Sequence, residues 1–234
     1  MRVGVLLAAA ALTVASFAQG QLDVMTNTEL GEKIRQLADQ GTDTYDEQVR
    51  LVWVLVMRSV QGDGDAHKVG KKPAERLRSE KDLNFRARFA YGYFRYREAY
   101  DTRDPITRKR RLDEGRRQMT EAVPMGRRNA DFLFDAGLIF SGLRRDVDLY
   151  RSALNTLTLA KRMFEEKFGE LSKPRQADWY AAMANAFDMS GLDELARDHY
   201  QQAYDLAPDS LSGRKAVVWL RSHGGGAGRL TTGD

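Results

Sequence analysis

Few side chains in this sequence are of the kinds that do chemistry, and their spacing suits it poorly. There are three histidines, His67, His199 and His223, and no cysteine. None of the histidines has a second histidine or a carboxylate at a metal-ligand spacing such as His-x-x-x-His, which argues against a zinc site. Without thiols there is no disulfide framework, thiolate metal site, thiol nucleophile or lipid-anchored cysteine. Asp63-Gly64-Asp65 opens like a calcium loop but lacks the remaining oxygen ligands and the closing glutamate, so it reads as a plain turn. Asp146 and Asp148 stand at a helix start, where the helix dipole accounts for them. No phosphate-cradling glycine loop, nucleophile elbow or isolated carboxylate pair in an apolar setting is present. The expectation is a non-enzymatic protein with no cofactor and no metal; a hydrolase using acidic side chains is the enzymatic alternative.

Binding chemistry is better represented. Arginines interleave with aromatics between Arg86 and Arg117, as in Arg95-Tyr96-Arg97 and Lys109-Arg110-Arg111, a mixture that can hold nucleic acid through phosphate pairing and stacking, or anionic envelope polymers or lipid headgroups through its charge. Phe85, Phe89, Tyr93 and Tyr96 fall at helical spacing, which favours core over a stacking platform. The net charge of +4 conceals a mosaic: acidic from Gln19 to Asp65, basic from Lys68 to Arg128, acidic again from Asn129 to Asp209. Such blocks cover solvated helices and mark where partners of opposite sign dock.

The elements that would position these residues begin after an N-terminal export pattern. Arg2, the apolar stretch Val3 to Val14 and Ser16-Phe17-Ala18 read as a cleavable secretory signal over 1–18, with Gln19 as the new N-terminus. The apolar stretch falls short of the roughly 20 residues of a membrane span. The expected location is the periplasm or the medium, with no membrane-spanning segment after cleavage. The rest of the chain shows apolar residues at three- and four-residue steps and no sustained alternation, so it reads as all-α. Thr26-x-x-Glu29 and Thr44-x-x-Glu47 have capping-box spacing and open two helices, stopped by Gly41 and Gly62. An exposed loop is expected from Gly62 to Lys72, with a short helix at Pro73. Further helices are expected from 83 to Tyr100, from Asp104-Pro105 to Val123, from Asn129 to Gly142, from Asp146 to Phe168, from Pro174 to Ser190, from Asp193 to Leu206, and from Ser210 to Ser222. The glycine-rich stretch 224–234 reads as a disordered tail.

One helix pair carries a repeat signature: Tyr180-x-x-Met183-Ala184-x-x-Phe187, Gly191 at the turn, Ala196-x-x-x-Tyr200-x-x-Ala203, then Pro208. This resembles the tetratricopeptide repeat at nearly every signature place. A weaker copy reads Leu133-x-x-Ala136-Gly137-x-x-Phe140 followed by Ala153-x-x-x-Leu157-x-x-Ala160, with a turn about four residues longer than the family standard. Gly115-x-x-x-Met119-x-x-Ala122 repeats the second-helix signature, though its partner helix has no clear register. The resemblance implies a right-handed superhelical stack of antiparallel helix pairs, an α-solenoid over 19–223 with pairs at about 28–60, 83–123, 129–168 and 174–207 and a C-terminal capping helix. It also implies a scaffold or adaptor that holds another protein or peptide in a concave groove lined by the first helix of each pair. In the clear repeat that places Asp178, Ala181, Asn185 and Asp188 in the groove, and in the weaker one Asp131, Phe134, Leu138 and Ser141. The lysines of a carboxylate clamp are missing, and Asp178 and Asp188 suit a neutral or basic partner, with Arg88 and Arg95 offering the opposite sign further up the chain.

Overall fold

The computed structural model describes residues 25–80, 84–143 and 146–223. The export pattern over 1–18 and the glycine-rich stretch 224–234 lie outside the described residues. Those described are helical, with ten α-helices and no strand.

The first five are α1 Asn27–Asp39, α2 Tyr45–Val60, α3 Gly64–Glu80, α4 Phe85–Glu98 and α5 Pro105–Met125. Thr26 and Glu29 close the expected capping box on α1: the threonine hydroxyl accepts from the Glu29 N–H at 3.3 Å, and the glutamate accepts from the Thr26 N–H at 2.6 Å. The matching spacing at Thr44 and Glu47 does not form a box. A 3₁₀ turn over Thr42–Thr44 puts Thr44 at φ −93°, ψ 5°, so its hydroxyl turns back to donate to the Leu37 carbonyl at 2.6 Å. Glu47 pairs with Arg50 instead.

The expected loop from Gly62 to Lys72 is also corrected, because α3 runs through it. Asp63 caps that helix, accepting from the N–H groups of Asp65 and Ala66 at 3.0 and 3.1 Å. The face α3 buries is Ala66, Gly70, Ala74 and Leu77, a helical stripe built almost wholly from small residues. The small side chains let α3 lie close to its neighbours, and the Phe94 ring packs directly on Gly70. The extra helix changes the pairing: α2 packs with α3 and α4 with α5, α4 also rests on both α2 and α3, and α1 lies across α2 and α3.

The remaining helices are α6 Ala130–Gly142, α7 Val147–Phe164, α8 Lys173–Asp188, α9 Asp193–Leu206 and α10 Leu211–His223. Asn129 and Asp146 cap α6 and α7 as expected, accepting from Phe132 N–H at 2.8 Å and Leu149 N–H at 3.3 Å. Glu165, at φ 47°, ends α7 earlier than Phe168, and a 3₁₀ turn Glu165–Glu170 follows. Short links return the chain after α6 and α8, so each pair runs antiparallel. The α8 helix rests on both α6 and α7, and α10 rests on both α8 and α9. The chain divides into two compact units, Met1–Met125 with α1 to α5 and Gly126–Asp234 with α6 to α10, where the sequence reading drew one domain over 19–223.

Small residues sit where helices meet most closely. Ala184, Ala196 and Ala203 are fully buried in one cluster with Tyr200. On Gly137 a Cβ would fall 2.5 Å from Leu157, and on Gly115 it would fall 2.6 Å from the Tyr96 nitrogen and 2.7 Å from the Gly92 oxygen. Gly92 is therefore the counterpart of Gly115, the register that the sequence left open. Alanine at position 115 would gain about 1 kcal/mol of helix propensity but drive backbone against backbone, at a cost of roughly 1–3 kcal/mol or more. Gly115→Ala should thus lower the urea midpoint, whereas Gly142→Ala, with nothing within 4 Å of its Cβ, should not. Equal midpoints for the two variants would mean that α4 and α5 do not meet at these glycines.

Candidate interaction surfaces

The residues expected to line a groove on α6 and α8 mostly join one helix to the next. Phe134 is corrected: its ring is 0% exposed, edge-on to Phe164 at 6.1 Å, with the Arg175 guanidinium 4.7 Å from its centroid. Apolar residues flank it on a helix whose buried face takes in most of its circumference, so the ring goes to the core. Arg175 from α8 also pairs with Asp131 at 3.1 Å and Asp135 at 3.7 Å, which leaves Asp131 on the surface but engaged. Asn185 donates its side-chain amide to the Ser141 carbonyl, tying α8 to α6. Asp178 accepts from the Ser212 hydroxyl of α10 at 2.5 Å, and burial pushes its carboxyl above the ordinary range despite that bond and the charges of Arg175 and Lys215. Leu138, Ala181 and Asp188 are half-buried. Asp188 makes no side-chain hydrogen bond or ion pair among the described residues and lies near enough to Tyr200 to raise its phenol, after burial the larger cause.

Arg88 and Arg95, on α4 in the other unit, are neutralised within it. Arg88 donates to Gln118 at 2.9 Å and pairs with Glu121 at 3.0 Å. Arg95 bridges Glu114 and Glu98, each at 2.9 Å. Glu98 gathers Lys71, Arg95 and Arg111 around a side chain only 12% exposed. Burial alone would raise its carboxyl, but the bond and charge from Lys71, then Arg111 and Arg95, bring it below the ordinary value. These cations act as struts between helices; the sequence marked their sign but not their partners.

A second cluster binds a cation with aromatic faces. The Lys161 ammonium lies 4.5, 5.0 and 5.5 Å from the centroids of Trp179, Phe168 and Tyr180, rings that stand nearly perpendicular to one another. The Trp179 indole N–H donates to the Leu157 carbonyl at 3.1 Å and sets the ring in place. His199 lies against Trp179, Tyr180 and Phe187, and burial holds its imidazolium pKa down against the Leu195 carbonyl and the Asp198 charge, with the Lys161 charge the smallest cause. Among the described residues no three His, Asp or Glu side chains gather to hold a metal ion.

No family model matches the chain, and neither a curated protein nor a solved structure matches it. The surface itself must therefore carry the reading. Among the open places on the described residues are the following. Between α1 and α3 a cleft of about 380 Å³ has Gly31, Ile34, Val69 and Pro73 below and Arg35, Lys72 and Arg76 around it. Along α5, Ile106, Lys109, Arg110 and Arg117 edge a shallow basin of about 540 Å³. Between α7 and α8 a groove of about 330 Å³ is lined by Leu154, Leu159, Met183 and Phe187, with Asn155, Thr158 and Arg162. Near it in the chain stand further exposed apolar residues: Met163, one turn beyond Leu159 on α7, and Met189, Leu192 and Leu195 after Phe187, where the Leu192 N–H bonds the Phe187 carbonyl and His199 bonds that of Leu195. The signal for it was present in the sequence: Leu154, Leu159 and Met163 are apolar residues lying off the buried stripe of Leu149, Ala153, Leu157 and Ala160.

Proposed function

We propose that this chain is an exported interaction module of tetratricopeptide-like helix pairs, stacked as an α-solenoid, and that it holds a partner protein rather than catalysing a reaction. The observation that carries the reading is the α7–α8 groove lined by Leu154, Leu159, Met183 and Phe187, together with exposed Met163 one turn beyond Leu159 and exposed Met189, Leu192 and Leu195 after Phe187. Exposed apolar side chains around a groove mark protein contact sites, and unbranched methionine adapts its shape to a partner. The groove suits the apolar stripe of an amphipathic helix, read as residues at i, i+3 or i+4 and i+7. The repeat reading is supported by the small signature residues Ala184, Ala196 and Ala203 at the α8–α9 contact and by the way α8 and α10 each lean on both helices of the pair before them. The expected groove on α6 and α8 is less suited to the role, since Phe134, Asn185 and Asp178 are committed to internal contacts.

The test is capture from the native envelope fraction with wild-type bait and with Leu159→Glu and Met163→Glu, both at exposed positions. The intact mass of the native chain is read in the same preparation and should lack residues 1–18. A partner retained equally by all three baits would remove the α7–α8 groove from the reading. A native chain still carrying Met1 would end the export proposal.

A further inference from the structure

The tip of the α4–α5 hairpin, together with the outer face of α5, combines an exposed apolar residue with concentrated positive charge. Ile106 is 80% exposed, the most exposed large apolar side chain among the described residues, and Tyr100, in the 3₁₀ turn Ala99–Asp101 that precedes it, is 55% exposed. From Arg103 to Arg117 seven arginines and lysines stand against three acids, a net of +4 that equals the whole chain's. Two of those acids are already engaged. Glu114 accepts from Tyr91 and Arg95, and Asp104 caps α5 through the Thr107 N–H at 2.8 Å. Asp113 stays exposed on the same face, and Asp101 lies at the tip 3.8 Å from His67. Other cations of the stretch are engaged as well, among them Arg111 with Glu98 and Thr102, Arg108 with the Thr102 carbonyl, and half-buried Arg116. Arg103, Lys109, Arg110 and Arg117 remain exposed, with no hydrogen bond or ion pair among the described residues.

We propose that this face docks the protein on an anionic phospholipid bilayer, with Ile106 and Tyr100 entering the headgroup boundary and Arg103, Lys109, Arg110 and Arg117 meeting the phosphates. The inference is independent of the partner groove on α7 and α8. Cations near an anionic leaflet each add to binding, long arginine and lysine stems let an apolar neighbour sink while their charges stay in water, and tyrosine favours the interface. Lipid is favoured over nucleic acid by Ile106, which offers nothing to a sugar-phosphate chain, and by Tyr100, whose ring already packs against Tyr96 at 5.8 Å rather than standing free to stack a base.

The full chain is to be sedimented with vesicles of phosphatidylglycerol and phosphatidylcholine, and with vesicles of phosphatidylcholine alone. Binding is expected to the first and not the second, falling as salt shortens the screening length. Lys109→Gln and Arg110→Gln should each weaken it about fivefold, and Ile106→Ser by about tenfold or more; all three positions are exposed, so the thermal midpoint should stay that of wild type. Equal binding to both vesicle types overturns the proposal. So does an Ile106→Ser variant that binds anionic vesicles like wild type, or a single-stranded oligonucleotide that is bound more tightly than the vesicles and equally well by Ile106→Ser.

Discussion

Phe134→Ala should destabilise its unit by about 3–5 kcal/mol, the cost of removing a fully buried phenyl ring from a core that closes only partly around the cavity. The ring is covered on one face by the Arg175 guanidinium and met edge-on by Phe164. Its loss strips contacts from α7 and α8 together and removes the aromatic face from Arg175, which keeps Asp131 and Asp135. Because the chain forms two units, unfolding need not be two-state, so urea titration is best read by hydrogen exchange of the segment 130–142. Asn185→Ala is the companion measurement, expected to cost roughly 1–3 kcal/mol because it leaves the Ser141 carbonyl without its donor. Had Phe134 been a groove residue waiting for a ligand, its removal would leave protection in that segment unchanged, and that result would return the ring to the surface.

Glu98→Gln should destabilise the other unit by about 3 kcal/mol at neutral pH, since it leaves Lys71, Arg95 and Arg111 facing a neutral amide at a largely buried site. The pH dependence has a definite sign. The carboxyl of Glu98 is lower in the folded chain than its ordinary 4.5, so its contribution is present above that value and is lost as pH falls through the folded pKa. The gap between wild type and Glu98→Gln should therefore be full at pH 7 and close in acid. Glu114, lowered by Tyr91 and Arg95 against burial, acts with the same sign and would persist in the variant. Hydrogen exchange of α4 measured from pH 7 down to about 3 checks both points. A gap that stayed constant across that range would show that the network is not stabilised by the Glu98 charge.

The two corrections in the helical layout have different origins. Ala66, Gly70 and Ala74 are buried with Leu77, but glycines at positions 64 and 70 and Pro73 inside the helix read as loop punctuation and mask the apolar stripe of α3. Thr44 has the right residue three positions before a glutamate, yet a capping box also needs an extended backbone at the cap, and the turn at Thr42–Thr44 denies it. Thr26, Asn129 and Asp146 have that extended backbone and cap as expected, and Asp104 accepts from the Thr107 N–H.

The sequence by itself determined that the described residues are helical, where most helices start, and which small residues lie at close contacts, because capping, propensity and three-to-four-residue spacing are local properties carried within one or two turns. Only the tertiary structure decided that Gly92 is the partner of Gly115, that Phe134 is core, that Asn185 and Asp178 bind neighbouring helices, that Glu98 collects three cations, and that Leu159 and Met163 are left uncovered. Spacing along a helix puts residues on one face, but what covers that face depends on helices remote in sequence. A buried tie and an open binding surface therefore look alike until the packing is known.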